Sequence, residues 1–322
     1  MGRGFVSALV LIACAAGCGG SDSGANNNDP SGGAGAVSGA GTGGSSSHAA
    51  GAGGSASTGS AGSAGSAGAS AKPDASADSA GQVDAPPIDA GGRCGTMYPA
   101  QCLNLMGWKL TLPIGSSGNP NEISWPALRT FTVSPYFQLN PSGPGVIFQA
   151  NAGGVTSGNS DYPRCELREM TSDGKDQMAW STTSGKHTMM VTEAFTHLPE
   201  AKPEVVGGQV HNDKDDVIMI RLSGSRLFVE HNGSSLGDLA ATYKLGTFFN
   251  LKIQATGGRI QIFYDDMVKP KVDEAEATAC GSSGSPLCYF KAGVYTQSNT
   301  STGDKPTAYG EVIITALSVT HE

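Results

Sequence analysis

LGTFFNLKIQATGGRIQIFYDD, residues 245–266, decides the fold class. On either side of TGG at 256–258 the residues alternate apolar and polar with the period of a β-strand, and the glycine pair marks a turn between two strands. Working outward, the same pattern recurs in WKLTLPI at 108–114, GVIFQAN at 145–151, HTMMVTEAFT at 187–196, DVIMIRL at 216–222 and SRLFVEHN at 225–232. It returns in YFKAGVYTQ at 289–297 and GEVIITALSVT at 310–320. Turn signals such as SSGNPN at 116–121 and LSGS at 222–225 separate these runs. RLSGSRLFV at 221–229, then a loop, then 245–266, reads as consecutive hairpins that build a broad sheet. Helical signals are confined to short pieces near 100–107 and 271–279. Many short antiparallel strands predict an all-β fold, a two-sheet antiparallel sandwich or jelly roll rather than an α/β fold. If one sheet curves, its free face forms a concave groove suited to a polymer.

Three strings carry the polar chemistry: RCELREM at 164–170, GGQVHN at 207–212 and YFKAGVYTQ at 289–297. Read at period two, Arg164, Glu166 and Arg168 share a face, as do Gln209 and His211, and as do Tyr289, Lys291, Tyr295 and Gln297. Each residue alone has an ordinary explanation: an ion-paired surface strand, a surface histidine, a core tyrosine. Their joint occurrence on three polar-faced strands points to a site.

The rest of the chain bounds its setting. Residues 1–18 hold one basic residue, a short apolar run from Phe5 to Ile12 and small residues before cysteine, which reads as an export signal too short to span a membrane. LIAC ending at Cys14 and AAGC ending at Cys18 both resemble the bacterial lipoprotein cleavage box, so either cysteine is a candidate for lipidation and membrane anchoring. An ordinary signal peptide is the alternative. Residues 19–92 are Gly, Ser, Ala, Asn and Asp, with SAGSAGSAG at 60–68, too polar to offset chain entropy, and read as a flexible tether. Residues 93–322 are one domain's worth of chain. The expected location is therefore the outer membrane or cell surface, or the secreted medium, and the domain is expected to act as a monomer.

A formal net charge of −8 leaves no global basic field for nucleic acid. A polyanion would have to be met by a local basic patch. Of seven cysteines, spacing suggests Cys94 with Cys102 and Cys280 with Cys288 as local disulfides, with other pairings open. Cys165 is turned away from the Arg164 and Arg168 face and reads as a buried, inert thiol. The six histidines are scattered without metal-site spacing, and neither a metal nor another cofactor is expected.

A groove with arginines, lysine, amide, imidazole and phenol but no free carboxylate pair is poorly suited to glycoside hydrolysis. It suits β-elimination from a uronic-acid polymer. Neutralising the C6 carboxylate makes the C5 proton removable, after which the C4–O4 bond breaks. Arg164 and Gln209 are candidates for the carboxylate clamp with His211 assisting. Tyr295 is the candidate proton handler, with Lys291, Arg164 and Arg168 nearby to favour its anion. Glu166 is expected to orient the two flanking arginines, while Arg168, Lys291 and Gln297 bind neighbouring carboxylates and hydroxyls.

RCELREM resembles the R(S/T)ELRE block, GGQVHN the Q(I/V)H block and YFKAGVYTQ the YFKAGVYNQ block of alginate lyases of polysaccharide lyase family 7. Similarity also runs through WKLTLP, GVTSGNSDYPRCELREM, DDVIMIRLSGSRLFV and LGTFFNLKIQATGGRIQIFY. The resemblance implies a β-jelly roll with a cleft on its concave sheet and metal-independent endolytic β-elimination. It implies that Arg164, Gln209 and His211 neutralise the uronate and assist proton abstraction. Tyr295 would be the acid, and for mannuronate the base as well, with Lys291, Arg168 and Gln297 binding substrate. Cys165 replaces the usual Ser or Thr, and Thr296 the common Asn, both on the reverse face. Val210 between the Gln and His is a pointer to mannuronate-rich chains. Glucuronan or another polyuronate as substrate, and an acidic-polysaccharide-binding protein without catalysis, are the competing readings.

Overall fold

The computed structural model describes residues 94–95, 97–276, 279–281 and 286–322. The export signal, both candidate lipidation cysteines and the Gly/Ser/Ala-rich tether lie outside the described residues.

A short helix, α1 (Pro99–Leu103), is followed by a single 3-10 turn at Leu105–Gly107 and then by strands. The first five are β1 (Trp108–Ser116), β2 (Asn119–Ile123), β3 (Phe137–Leu139), β4 (Val146–Asn151) and β5 (Arg164–Glu169). Next come β6 (Lys186–His197), β7 (Glu204–Asn212), β8 (Asp216–Ser223), β9 (Arg226–His231) and β10 (Ser234–Ala240). The last five are β11 (Phe249–Thr256), β12 (Arg259–Tyr264), β13 (Val272–Ala275), β14 (Cys288–Thr296) and β15 (Tyr309–His321).

They form two sheets, in the orders β10-β9-β8-β7-β14-β5-β1-β2 and β13-β12-β11-β6-β15-β4-β3, with antiparallel pairing between neighbours. This is the jelly-roll sandwich expected from the strand pattern. Alternation sorts each strand between core and outside. On β11, Phe249, Leu251, Ile253 and Ala255 are buried, and on β14 Phe290, Ala292 and Val294 are. With Phe148, Leu167, Met189, Phe195 and Val210 they belong to one core. Full burial of each large apolar side chain stabilises the fold by roughly 1.5–3 kcal/mol.

Two expectations are corrected. The hairpins around 221–229 and 245–266 do not extend one sheet: β8 and β9 belong to the eight-stranded layer, β11 and β12 to the seven-stranded one. Tyr243 anchors the segment between them. Its hydroxyl donates to Thr247 O at 2.5 Å and accepts from Phe195 N at 3.0 Å, fixing the crossing from one layer to the other. The helical signal near 271–279 fails in its first half, because Val272–Ala275 pairs with β12 in the register Val272 with Ile262 and Ala275 with Arg259. A stretch this short cannot offset helix nucleation when a sheet edge offers immediate hydrogen bonds.

Both expected disulfides form, Cys94 with Cys102 and Cys280 with Cys288, and Cys165 is free and buried. Burial pushes its thiol far up, as expected for an inert cysteine. Among the described residues, one ionisable carboxyl enters the core without a hydrogen-bond partner on either oxygen. Glu193 on β6 is fully buried, neither carboxyl oxygen has a partner, and burial raises it to about 8. Room for it comes from Gly207 on the facing sheet, where a Cβ would stand 2.9 Å from Glu193 Oε1.

Candidate active site

β7, β14 and β5 are consecutive in the eight-stranded sheet, so the three polar-faced strings lie side by side. Register makes them a grid. Across β14 and β5, Lys291 pairs with Arg168, Gly293 with Glu166, and Tyr295 with Arg164. Across β14 and β7, Tyr289 pairs with His211 and Lys291 with Gln209. Directly paired residues share a face, so every polar residue singled out on these strands meets on one surface.

Gly293 stands at the centre of that grid, where β14 runs close against β5. It has φ +133°, and a Cβ there would stand 2.6 Å from Cys165 O and 3.0 Å from Glu166 Cα. Only glycine tolerates both the dihedral and the approach.

Glu166, 1 % exposed, is the hub of the grid. Its Oε2 accepts from Arg164 Nη1 at 3.1 Å and Lys291 Nζ at 2.6 Å, and its Oε1 accepts from Gln209 Nε2. Burial alone would raise the Glu166 carboxyl, but Lys291 and Arg164 outweigh burial and hold it below the usual range. Burial, with the Arg164 charge, lowers Lys291 to about 8. Glu166 was expected to orient Arg164 and Arg168. It holds Arg164, Lys291 and Gln209, while Arg168 Nη1 donates to Glu169 O at 2.7 Å and its guanidinium lies 3.9 Å from the Tyr289 ring centroid. Register places Arg168 beside Lys291 rather than within the Glu166 cluster.

Burial, and then the Lys291 charge, lower His211 below the ordinary histidine range. Its Nδ1 donates to Asn212 O at 2.5 Å, because a carbonyl can only accept. In the neutral ring this leaves Nε2 as a proton acceptor. Tyr289 Oη stands 3.2 Å from the same Nδ1 and packs its ring against the imidazole, so Tyr289 orients His211. Gln209 is fully buried and its Oε1 has no partner.

Tyr295 sits under Arg164, whose guanidinium carbon is 3.9 Å from the ring centroid. Its hydroxyl is 3.1 Å from Ser160 Oγ. Beside it opens a cavity of about 360 Å³ lined by Ser160, Tyr162, Asp216, Arg221, Glu230 and Gln297, among others. Gln297 Oε1 accepts from Arg221 Nη2 at 3.0 Å, and its Nε2 has no partner. The two departures from the family blocks, Cys165 and Thr296, are turned away with Val210, as alternation predicts: all three are fully buried.

The sequence reading missed the acidic side of this cleft. Asp161, Asp215, Asp216 and Glu230 all border the cavity, and Asp216 is the register partner of His211. Glu230 is tied to Arg221 at 2.8 Å. The available signal was Arg221, a lone arginine in the apolar run DVIMIRL. Ser160 lies in a loop without periodicity, and nothing in alternation could reveal it.

A jelly roll with a cationic cluster next to a tyrosine and a histidine fits a carbohydrate-active protein for acidic polymers. Comparison with known proteins gives the family. Residues 103–321 match the family model described as alginate lyase. An alginate lyase from Klebsiella pneumoniae is 25 % identical over 289 residues, covering 71 % of this chain and 93 % of that protein. The structure of alginate lyase AlgAT5 from polysaccharide lyase family 7 is 49 % identical, with a TM-score of 0.65 over 70 % of this chain and all of that one. A tyrosine-to-phenylalanine variant of the family 7 alginate lyase A1-II′, in complex with a product (GGG), is 27 % identical with a TM-score of 0.59, again over 70 % of this chain and all of that one. The chain belongs to the alginate lyases of polysaccharide lyase family 7.

Proposed function

We propose that this protein cleaves alginate by endolytic β-elimination with a preference for poly-mannuronate. The observation that carries the reading is the cross-strand grid, which brings Arg164, Gln209, His211, Lys291 and Tyr295 onto one surface from segments far apart in the chain. Arg164 and Lys291 present positive charge to the uronate carboxylate, and the second hydrogen of the Gln209 amide is free to join them. Drawing charge onto that carboxylate acidifies C5.

Tyr295, as phenolate, takes the C5 proton. The electron pair forms the C4–C5 double bond as the C4–O4 bond breaks, and the phenol returns a proton to O4. His211, neutral and with Nε2 unprotonated, assists the abstraction step. Arg168 and Gln297 hold neighbouring sugars, and Tyr289 keeps the imidazole in place. The mannuronate preference rests on Val210, which acts through packing because it faces the core.

We also place the catalytic domain at the cell surface or outside the cell, as a monomer, carried by the leader and lipidated at Cys14 or Cys18. Incubation with poly-mannuronate, poly-guluronate and glucuronan, followed by ultraviolet absorbance of unsaturated uronate and sizing of products, tests the reading. The expected result is fastest release from poly-mannuronate with early appearance of mid-sized oligomers. Silence on all three polymers would overturn it.

A further inference from the structure

Ser160 Oγ makes three polar contacts. Arg164 Nη2 donates to it at 2.8 Å, it lies 3.1 Å from Tyr162 O, and it lies 3.1 Å from Tyr295 Oη. A hydroxyl has one hydrogen to give. Tyr162 O can only accept, so in this arrangement the serine hydrogen points at that carbonyl and the Tyr295 hydroxyl donates to Ser160 Oγ.

If Tyr295 loses its proton it can only accept. The serine hydrogen then turns from Tyr162 O to the phenolate oxygen, by rotation about one bond, while the Arg164 contact stays in place. We propose that Ser160 is a positioning residue for the reaction, holding the Tyr295 oxygen through both halves of its proton cycle and tying it to Arg164. The inference rests on the reading of Tyr295 as the proton handler.

The loop is built to keep Ser160 there. Asn299 Nδ2 donates to Asp161 O at 2.9 Å, and Ser160 N donates to Ser157 O at 3.0 Å. Lys202 Nζ donates to Tyr162 Oη at 3.1 Å, and the Tyr162 ring packs edge-on against Tyr295 with centroids 6.4 Å apart. Thr296 N, next to Tyr295, donates to Pro163 O at 3.1 Å. The loop is thus locked to the end of β14 just after the serine, and the serine is tied to the turn before it.

The test compares Ser160→Ala and Ser160→Thr in the full chain. Tyr295 ionisation is read without substrate, as the difference in phenolate absorbance between each protein and its Tyr295→Phe counterpart. In Ser160→Ala the phenolate should require a pH higher by about one unit, because a charge-assisted hydrogen bond is lost. With polymer, kcat should fall roughly tenfold with KM within about twofold, and the corresponding limb of the pH profile should move the same way. Ser160→Thr, which keeps the hydroxyl, should restore both. An unmoved Tyr295 titration in Ser160→Ala, or equal loss in the alanine and threonine variants, overturns the proposal. Should the wild type cleave no polyuronate, the function reading fails while the titration still decides the role of Ser160.

Discussion

Tyr295 and Arg164 are direct cross-strand partners, and the guanidinium carbon of Arg164 lies 3.9 Å from the Tyr295 ring centroid. On the proposed mechanism, the group that would handle the proton and a group that would meet the substrate charge are therefore one stacked unit. Removing the tyrosine hydroxyl should leave the charge site standing. Tyr295→Phe is expected to lower kcat by roughly 10²- to 10⁴-fold while oligomer affinity stays within about threefold. Calorimetric binding of a mannuronate oligomer alongside turnover checks this, and a variant that still turns over near the wild-type rate removes Tyr295 from the chemistry.

With Lys291 in its proposed role, the site should carry a pH dependence of its own. With Lys291 lowered to about 8, the ammonium is charged below that pH and neutral above it, so carboxylate binding should weaken as pH rises. KM is expected to rise roughly tenfold between about pH 7 and pH 9. Lys291→Arg stays charged across this range, so its KM, whatever its starting value, should be flat. A wild-type KM that does not change over the same interval counts against Lys291 as a charge contact.

Glu193 makes a prediction about stability alone. Its carboxyl is raised to about 8 in the folded protein, well above the ordinary carboxylate value of about 4.3 in the unfolded chain. The folded state therefore binds more protons between these values. Stability is fully present at the acid end and is lost as pH rises toward about 8, by an amount on the order of a few kcal/mol. Glu193→Gln cannot titrate, and urea unfolding of this variant should lose that slope between about pH 5 and pH 8. An unchanged slope would assign the proton to another group.

Gly293 should tolerate no side chain. Ala at φ +133°, with its Cβ 2.6 Å from Cys165 O, would have to push β14 from β5. Gly293→Ala is expected to cost about 2 kcal/mol or more in unfolding free energy and to lower kcat by displacing Lys291 and Tyr295 together. Wild-type melting behaviour would show that the strands accommodate the methyl group.

Much of this architecture is legible at period two. The three strings show their polar faces without a structure, and so do the buried positions Cys165, Val210 and Thr296. Their adjacency is not legible, because neighbour order in a sheet depends on connections that alternation does not encode. For the same reason the two long hairpins looked like one sheet. β2, with a proline in NPNEI and mostly exposed residues, and β10, polar and half exposed, escaped notice because edge strands bury little and carry weak patterns. Ser160 escaped because its position comes from hydrogen bonds to residues up to 135 places away in sequence.

The strand that completes the grid comes late among the described strands. β14, residues 288–296, lies between β7 and β5, and without it those two strands have no common border. A ribosome makes the arginine cluster and the histidine strand first and adds the tyrosine strand some eighty residues after β7. The grid therefore cannot form before β14 has been made. Strand order alone thus sets the point in synthesis at which the polar surface can first assemble.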